Sequence, residues 1–189
     1  YLIAMKDPWV TINTSWVTSE ITGQSIILIL GGIFLLYKST SEIHHKVEGI
    51  SAGEEAPKKK VSTLSKVIVQ IVLIDIVFSF DSVLTAVGMT NGIDGALIIM
   101  ITAVVISMII MMLFANPVGQ FVNKHPTIQM LALSFLILIG FMLITEGAHL
   151  ANTVIFNQHI GAIPKGYLYF AIAFSLGVEA LNMRVRKKK

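Results

Sequence analysis

The sequence contains no cysteine and has few charges: none of its 189 residues can form a disulfide or a thiolate metal site, and only 13% are Asp, Glu, Lys or Arg. The first absence removes cysteine nucleophiles and soft sulfur ligands together, and says nothing about the cellular compartment. The second, set against 54% hydrophobic residues and a mean hydropathy of +0.78, excludes an ordinary soluble domain, in which apolar usage is about 45–50%. The opening YLIAMKDPW has no basic segment and no small-residue cleavage site, so no signal peptide is expected there, and YLIAM reads as the remnant of a hydrophobic segment in a longer protein. Apart from the KKK run at 58–60 and the RVRKKK tail, the basic residues form no patch that would call for a nucleic-acid partner, and the sequence specifies no oligomeric state.

What the chain has instead is long apolar runs. Runs bounded by charges or turn residues cover 25–37, 67–89, 96–115, 128–145 and 167–183, which predicts five transmembrane helices in an all-α polytopic membrane bundle. The first run is short for a crossing and could also form a buried or re-entrant helix. Its Gly31-Gly32 pair suits close packing against a neighbouring helix. Residues 39–66, rich in Lys, Glu, Ser and Gly, read as a solvated linker within a single transmembrane domain, and Pro117 and Pro126 read as helix punctuation. Twelve Lys and Arg fall in the 38–66 segment, the Lys124 loop and the RVRKKK tail, whereas the alternate loops hold only Lys6 and Lys165. That asymmetry predicts that the linker and the C-terminus are cytoplasmic, and it makes the KKK run at 58–60 a topology signal.

The informative anomaly is DIVFSFDSVLTAVG at 75–88, which puts Asp75 and Asp81 inside an apolar span. A charge at the bilayer centre costs about 2.5–3.5 kcal/mol on insertion scales, so intramembrane acids are functional candidates by default. The bland alternative is that they are paired or protonated and only hold helices together. At about 100° per residue, Asp75, Ser79 and Ser82 share one helical face, and Gln70, Asp81 and Thr85 share another about 120° away. Either the two acids serve adjacent subsites, or the helix is interrupted near 78–81 so that both carboxylates converge.

Two further acids lie near membrane depth. Glu146, at the end of the fourth span, suits either the interface or a pathway. Glu179, in the fifth, is placed to contribute to a pathway or to pair with Arg184. His44, His45, His125, His149 and His159 fall in expected loops or span ends. Carboxylates, hydroxyls and an amide are hard oxygen donors suited to Mg, Ca or Mn, so the candidate ligand is a divalent metal ion handled within the lipid bilayer. No enzymatic constellation is evident: an aspartyl protease of the membrane needs its acids on facing helices. Export of an anion would call for a basic residue within a span, and none is expected there.

The chain resembles the TerC family of bacterial integral membrane proteins, related to LysE-type exporters. The likeness runs through GGIFLLYKSTSEIH, DIVFSFDSVLTAVGMT, HPTIQMLALSFLILIGFMLITEG and PKGYLYFAIAFSLGVEALNMR. It implies a seven-helix protein of two inverted repeats in the bacterial inner membrane, each repeat carrying an acidic block, with the first block absent from this chain. It further implies efflux of manganese or a similar divalent ion, with tellurium resistance as an older label. Asp75 and Asp81 match the acidic positions of the second block, and Ser82 matches the polar residue after it. A non-transporting scaffold, its buried acids holding the bundle together or binding a membrane partner, is the competing expectation.

Overall fold

The structure, a computed structural model, describes residues 7–51, 64–90 and 92–186. It contains the five expected spans, α1 (Gly23–Ser51), α2 (Leu64–Thr90), α3 (Ala96–Lys124), α4 (Pro126–Leu150) and α5 (Lys165–Arg186). Each is long and apolar enough to cross a membrane. The described part of α3 has no buried residue, and its exposed surface runs through Ile98, Val105, Met112 and Phe121.

The α1–α4 pair is the centre of the bundle. Leu28 and Leu35 from α1 and Leu143 from α4 are 0–1% exposed, and Ile74, Val77, Phe78 and Leu84 of α2 pack against them. Small residues allow this approach: a Cβ built on Gly32 would lie 2.6 Å from the carbonyl oxygen of Gly140, and one on Gly147 would lie 2.9 Å from that of Ser25. Lipid tails are as apolar as leucine, so this contact owes its stability to close van der Waals packing. The start of α1 is fixed by a reciprocal cap: the Thr22 N–H donates to Ser25 Oγ (3.0 Å), and the Ser25 N–H donates to Thr22 Oγ1 (3.1 Å). At the other end of α1, Lys46 donates to Gln129 Oε1, and Gln129 Nε2 donates to the carbonyl of Val122 at 3.2 Å, tying α1 to the α3–α4 junction.

Three local expectations change. The first span is a 29-residue helix, so the re-entrant option is not realised, and the 39–66 segment is helical at both ends, through Ser51 and again from Leu64. Pairs one turn apart, Lys38–Glu42 at 3.5 Å and His44–Glu48 at 3.1 Å, continue α1 beyond its apolar run. The rest of that segment lies outside the described residues. Pro117 stands inside α3 and does not end it. The chain turns at His125, whose N–H donates to the Val122 carbonyl (3.1 Å), and Pro126 occupies the start of α4, where its missing N–H costs nothing.

A small sheet, which apolar runs alone do not reveal, covers one end of the bundle. Strands β1 (Pro8–Asn13) and β2 (Val17–Thr22) form an antiparallel hairpin. Two short strands between α4 and α5, β3 (Val154–Ile155) and β4 (Gln158–His159), extend it in the order β1-β2-β3-β4. The β3–β4 turn places Phe156 at φ 49 and Asn157 at φ 63, the left-handed pair that a two-residue hairpin requires. Phenylalanine is an unusual choice there. Its ring centroid lies 6.4 Å from that of Trp16, and its N–H donates to the Trp16 carbonyl (3.0 Å), which holds the turn to the β1–β2 hairpin.

The helix order puts the sheet at one end of the bundle and Ser51 and Arg186 at the other. From the basic asymmetry, a cysteine introduced at Asn157 should react with a membrane-impermeant thiol reagent on intact cells, and one at Ser51 should react only after the membrane is opened. Labelling of the two positions in the reverse pattern would invert the topology.

Candidate metal-ion pathway

Helix α2 runs unbroken from Leu64 to Thr90, so the interrupted-helix option is not realised, and the two acidic faces remain separate. Asp81 lies on the packed side with Ile74, Val77, Phe78 and Leu84. Its carboxylate is 18% exposed and accepts a hydrogen bond from Lys165 Nζ at 2.8 Å (Oδ2). The same ammonium donates to Thr85 Oγ1 at 2.5 Å, and the Thr85 hydroxyl in turn donates to the Asp81 carbonyl at 3.0 Å. Asp81, Thr85 and Lys165 thus form one closed polar cluster joining α2 to the start of α5. Gln70, on the same side of α2, is partly buried.

Asp75, Ser79 and Ser82 lie on the other face and are exposed in this chain. Six residues at about 1.5 Å of rise separate Asp75 from Asp81 by roughly 9 Å along the axis, and the two side chains point to different sides. Among the described residues no group of three or more His, Asp or Glu side chains is gathered to hold a metal. Glu146 is partly buried on α4. Glu179, partly buried on α5, accepts a hydrogen bond from Asn182 Nδ2 at 3.3 Å. It lines an open cavity of about 490 Å³ with Phe121, His125, Met183 and Arg184, but no ion pair joins it to Arg184 among the described residues.

Lys165 is the residue that the sequence analysis assigned to a loop and that the structure brings to the site. Its placement is informative because a cation at a helix N-terminus faces the positive end of the dipole, whereas a carboxylate is favoured there. Asp81 compensates that end of α5 and Lys165 together. One signal was available: Lys165 is one of only two basic residues assigned to the sheet-end loops, and it directly precedes an apolar run.

Five membrane-crossing helices with a carboxylate–ammonium pair between two of them define a polytopic α-helical membrane protein. The chain belongs to the Integral membrane protein TerC family, which it matches over residues 9–189. It is similar to the UPF0053 inner membrane protein YgdQ of Escherichia coli K12, with 48% identity over 172 residues that cover 91% of this chain and 65% of that protein. A UPF0053 protein of Haemophilus influenzae is 44% identical over 168 residues, covering 89% and 64%. The UPF0053 inner membrane protein YoaE of E. coli K12 is 43% identical over 166 residues, covering 88% and 29%. The chain therefore spans 65% of the length of YgdQ and less of the other two. With its five spans and inner-membrane relatives, it is a multi-pass inner membrane protein. No solved structure matches it.

Proposed function

We propose that this chain forms part of a transporter that exports a hard divalent cation, and that it is not an enzyme. The observation that carries this reading is the Asp81 carboxylate, partly buried within a span among oxygen donors and balanced by a single ammonium. A divalent ion in a low-dielectric site needs about two negative charges nearby, because an unpaired ion there costs several kcal/mol. Asp81 and Asp75 supply two, but on separate faces and roughly 9 Å apart along the helix, so they act as successive stations of a pathway. Gln70, Ser79, Ser82 and Thr85 provide further oxygens along α2, and Glu146 and Glu179 provide carboxylates at opposite ends of the bundle. The exposed Asp75 face meets the remaining helices of the full-length protein, which complete its ligand shell and the seven-helix inverted repeat.

Manganese is the ion that the family resemblance favours, with tellurium resistance as a secondary phenotype; the basic asymmetry puts the C-terminus in the cytoplasm, and exchange with protons follows if a carboxylate of the pathway takes up a proton when the ion leaves. The scaffold reading has one specific observation in its favour, since the Asp81–Lys165 pair also fastens α2 to α5. Cellular manganese separates the two. Cells loaded with radioactive manganese and expressing the full-length protein should lose it faster than cells without the protein. Equal loss at verified membrane abundance would leave the scaffold as the better account.

A further inference from the structure

We propose that Lys165 is a tethered counter-cation of this pathway: its ammonium occupies the Asp81 station when no ion is there, has to leave when a divalent ion binds, and excludes monovalent cations. The inference rests on the reading of Asp81 as an ion station and adds the element that sets the station's selectivity.

The geometry carries the argument. Lys165 Nζ contacts both oxygen groups that an incoming ion would use on this face, the Asp81 carboxylate at 2.8 Å and the Thr85 hydroxyl at 2.5 Å. An ion bound to those oxygens and the ammonium therefore cannot share the position. Lys165 is also free to leave without unfolding anything. It is the first residue of α5, it follows Pro164, and its side chain remains 25% exposed at the sheet end of the bundle, so a lysine stem can carry its head toward the interface. The neighbouring backbone is anchored independently, by the Tyr167 N–H donating to the Pro164 carbonyl at 3.0 Å.

Two consequences follow from charge alone. When a divalent ion departs, the Asp81 carboxylate is compensated by the protein's own cation and is not left unpaired in the bundle. A monovalent ion gains little by replacing a cation of the same charge that is tethered beside the site at millimolar or higher effective concentration. A divalent ion gains from its second charge. Lys165 thus turns a carboxylate–hydroxyl pair, which alone would admit sodium or potassium, into a station biased toward higher charge.

The test uses the full-length protein in lipid nanodiscs and reads manganese binding by calorimetry, with sodium chloride or choline chloride as the background salt. Wild type should bind with an affinity that is insensitive to replacing choline by sodium. Lys165→Met should bind manganese about tenfold more tightly in choline, within the usual range of coupling between competing ligands, and should lose that gain in sodium. Lys165→Arg should behave as wild type. A second measurement avoids any folding defect in the variants: acylation of Lys165 in the wild-type protein, followed by mass spectrometry, should be several-fold faster with saturating manganese. Unchanged affinity in Lys165→Met, or unchanged Lys165 acylation in a wild type that binds manganese, overturns the counter-cation role and leaves the ion station intact. Full manganese binding by Asp81→Asn instead removes the station itself, and the proposal with it.

Discussion

Replacing Asp81 by Asn in the full-length protein should reduce manganese efflux by roughly 100-fold or more while leaving insertion and membrane abundance unchanged. The size follows from what the substitution removes. Loss of a partner that merely orients a metal ligand typically costs 10–100-fold in affinity or activity, and in the proposed pathway Asp81 is the ligand itself and one of the two charges that balance the ion. Asparagine preserves shape and keeps a side-chain oxygen for Lys165, while Thr85 bonds the main-chain carbonyl of residue 81, which the substitution leaves in place. The cluster that joins α2 to α5 therefore loses a charge but keeps its hydrogen bonds. The unpaired ammonium has a way out at the sheet-end interface, so folding is preserved. Glu179→Gln should cost less than about tenfold, since Glu179 lines an open cavity and keeps Asn182 as a partner. Efflux of radioactive manganese at matched abundance checks both. Wild-type efflux by Asp81→Asn would take Asp81 out of the pathway and leave it as a fastener between helices.

The fold is most legible in the sequence where one physical demand dominates. Five apolar runs in a chain with 13% charged residues require five crossings, and the structure has five membrane-length helices. Helix ends were less legible, because α1 continues past Tyr37 on ion pairs and hydrogen-bonded turns that apolar counting does not register. The hairpin at 8–22 was missed for a related reason. WVTINTSWVTSEIT has β-branched residues at strand spacing around an Asn-Thr-Ser turn, but a six-residue period-2 pattern does not register as an apolar run of membrane length.

At the candidate site, the 100° geometry separated Asp81 and Thr85 from Asp75, Ser79 and Ser82, and the structure has the first pair partly buried and the other three exposed. Lys165 could not be paired with Asp81 from the sequence. The two are 84 positions apart, and their meeting depends on where the first residue of α5 comes to lie relative to α2. Helical periodicity describes each span and carries no information about its neighbours.

The docking of α1 against α4 yields the largest expected effect on stability. Gly32→Ala should prevent the two helices from packing, giving a protein that inserts but is rapidly proteolysed and shows no cooperative melting transition in detergent. The added methyl would stand 2.6 Å from the Gly140 carbonyl oxygen, 2.7 Å from Ile144 Cγ1 and 3.1 Å from the Ile144 backbone nitrogen. Two of these three are main-chain atoms of a regular helix, which cannot rotate aside as a side chain can. Overpacking in a well-packed interior typically costs about 1–3 kcal/mol, and occasionally more, through off-rotamer side chains and local backbone shifts. Here α4 as a whole must move away, and the contacts made by Leu28, Leu35 and Leu143 are lost with it. Gly140→Ala meets the same interface less severely, at 3.0 Å from the Gly32 carbonyl oxygen, and should weaken it without abolishing it. Gly119→Ala is the control. Among the described residues, no atom beyond its chain neighbours and its own helix backbone lies within 4 Å of its added methyl, and alanine is favoured over glycine inside a helix by about 0.5–1 kcal/mol, so that variant should melt at or slightly above wild type. A Gly32→Ala protein that melts with the wild type would mean that α1 and α4 do not approach as closely as described, and that the bundle is held together elsewhere.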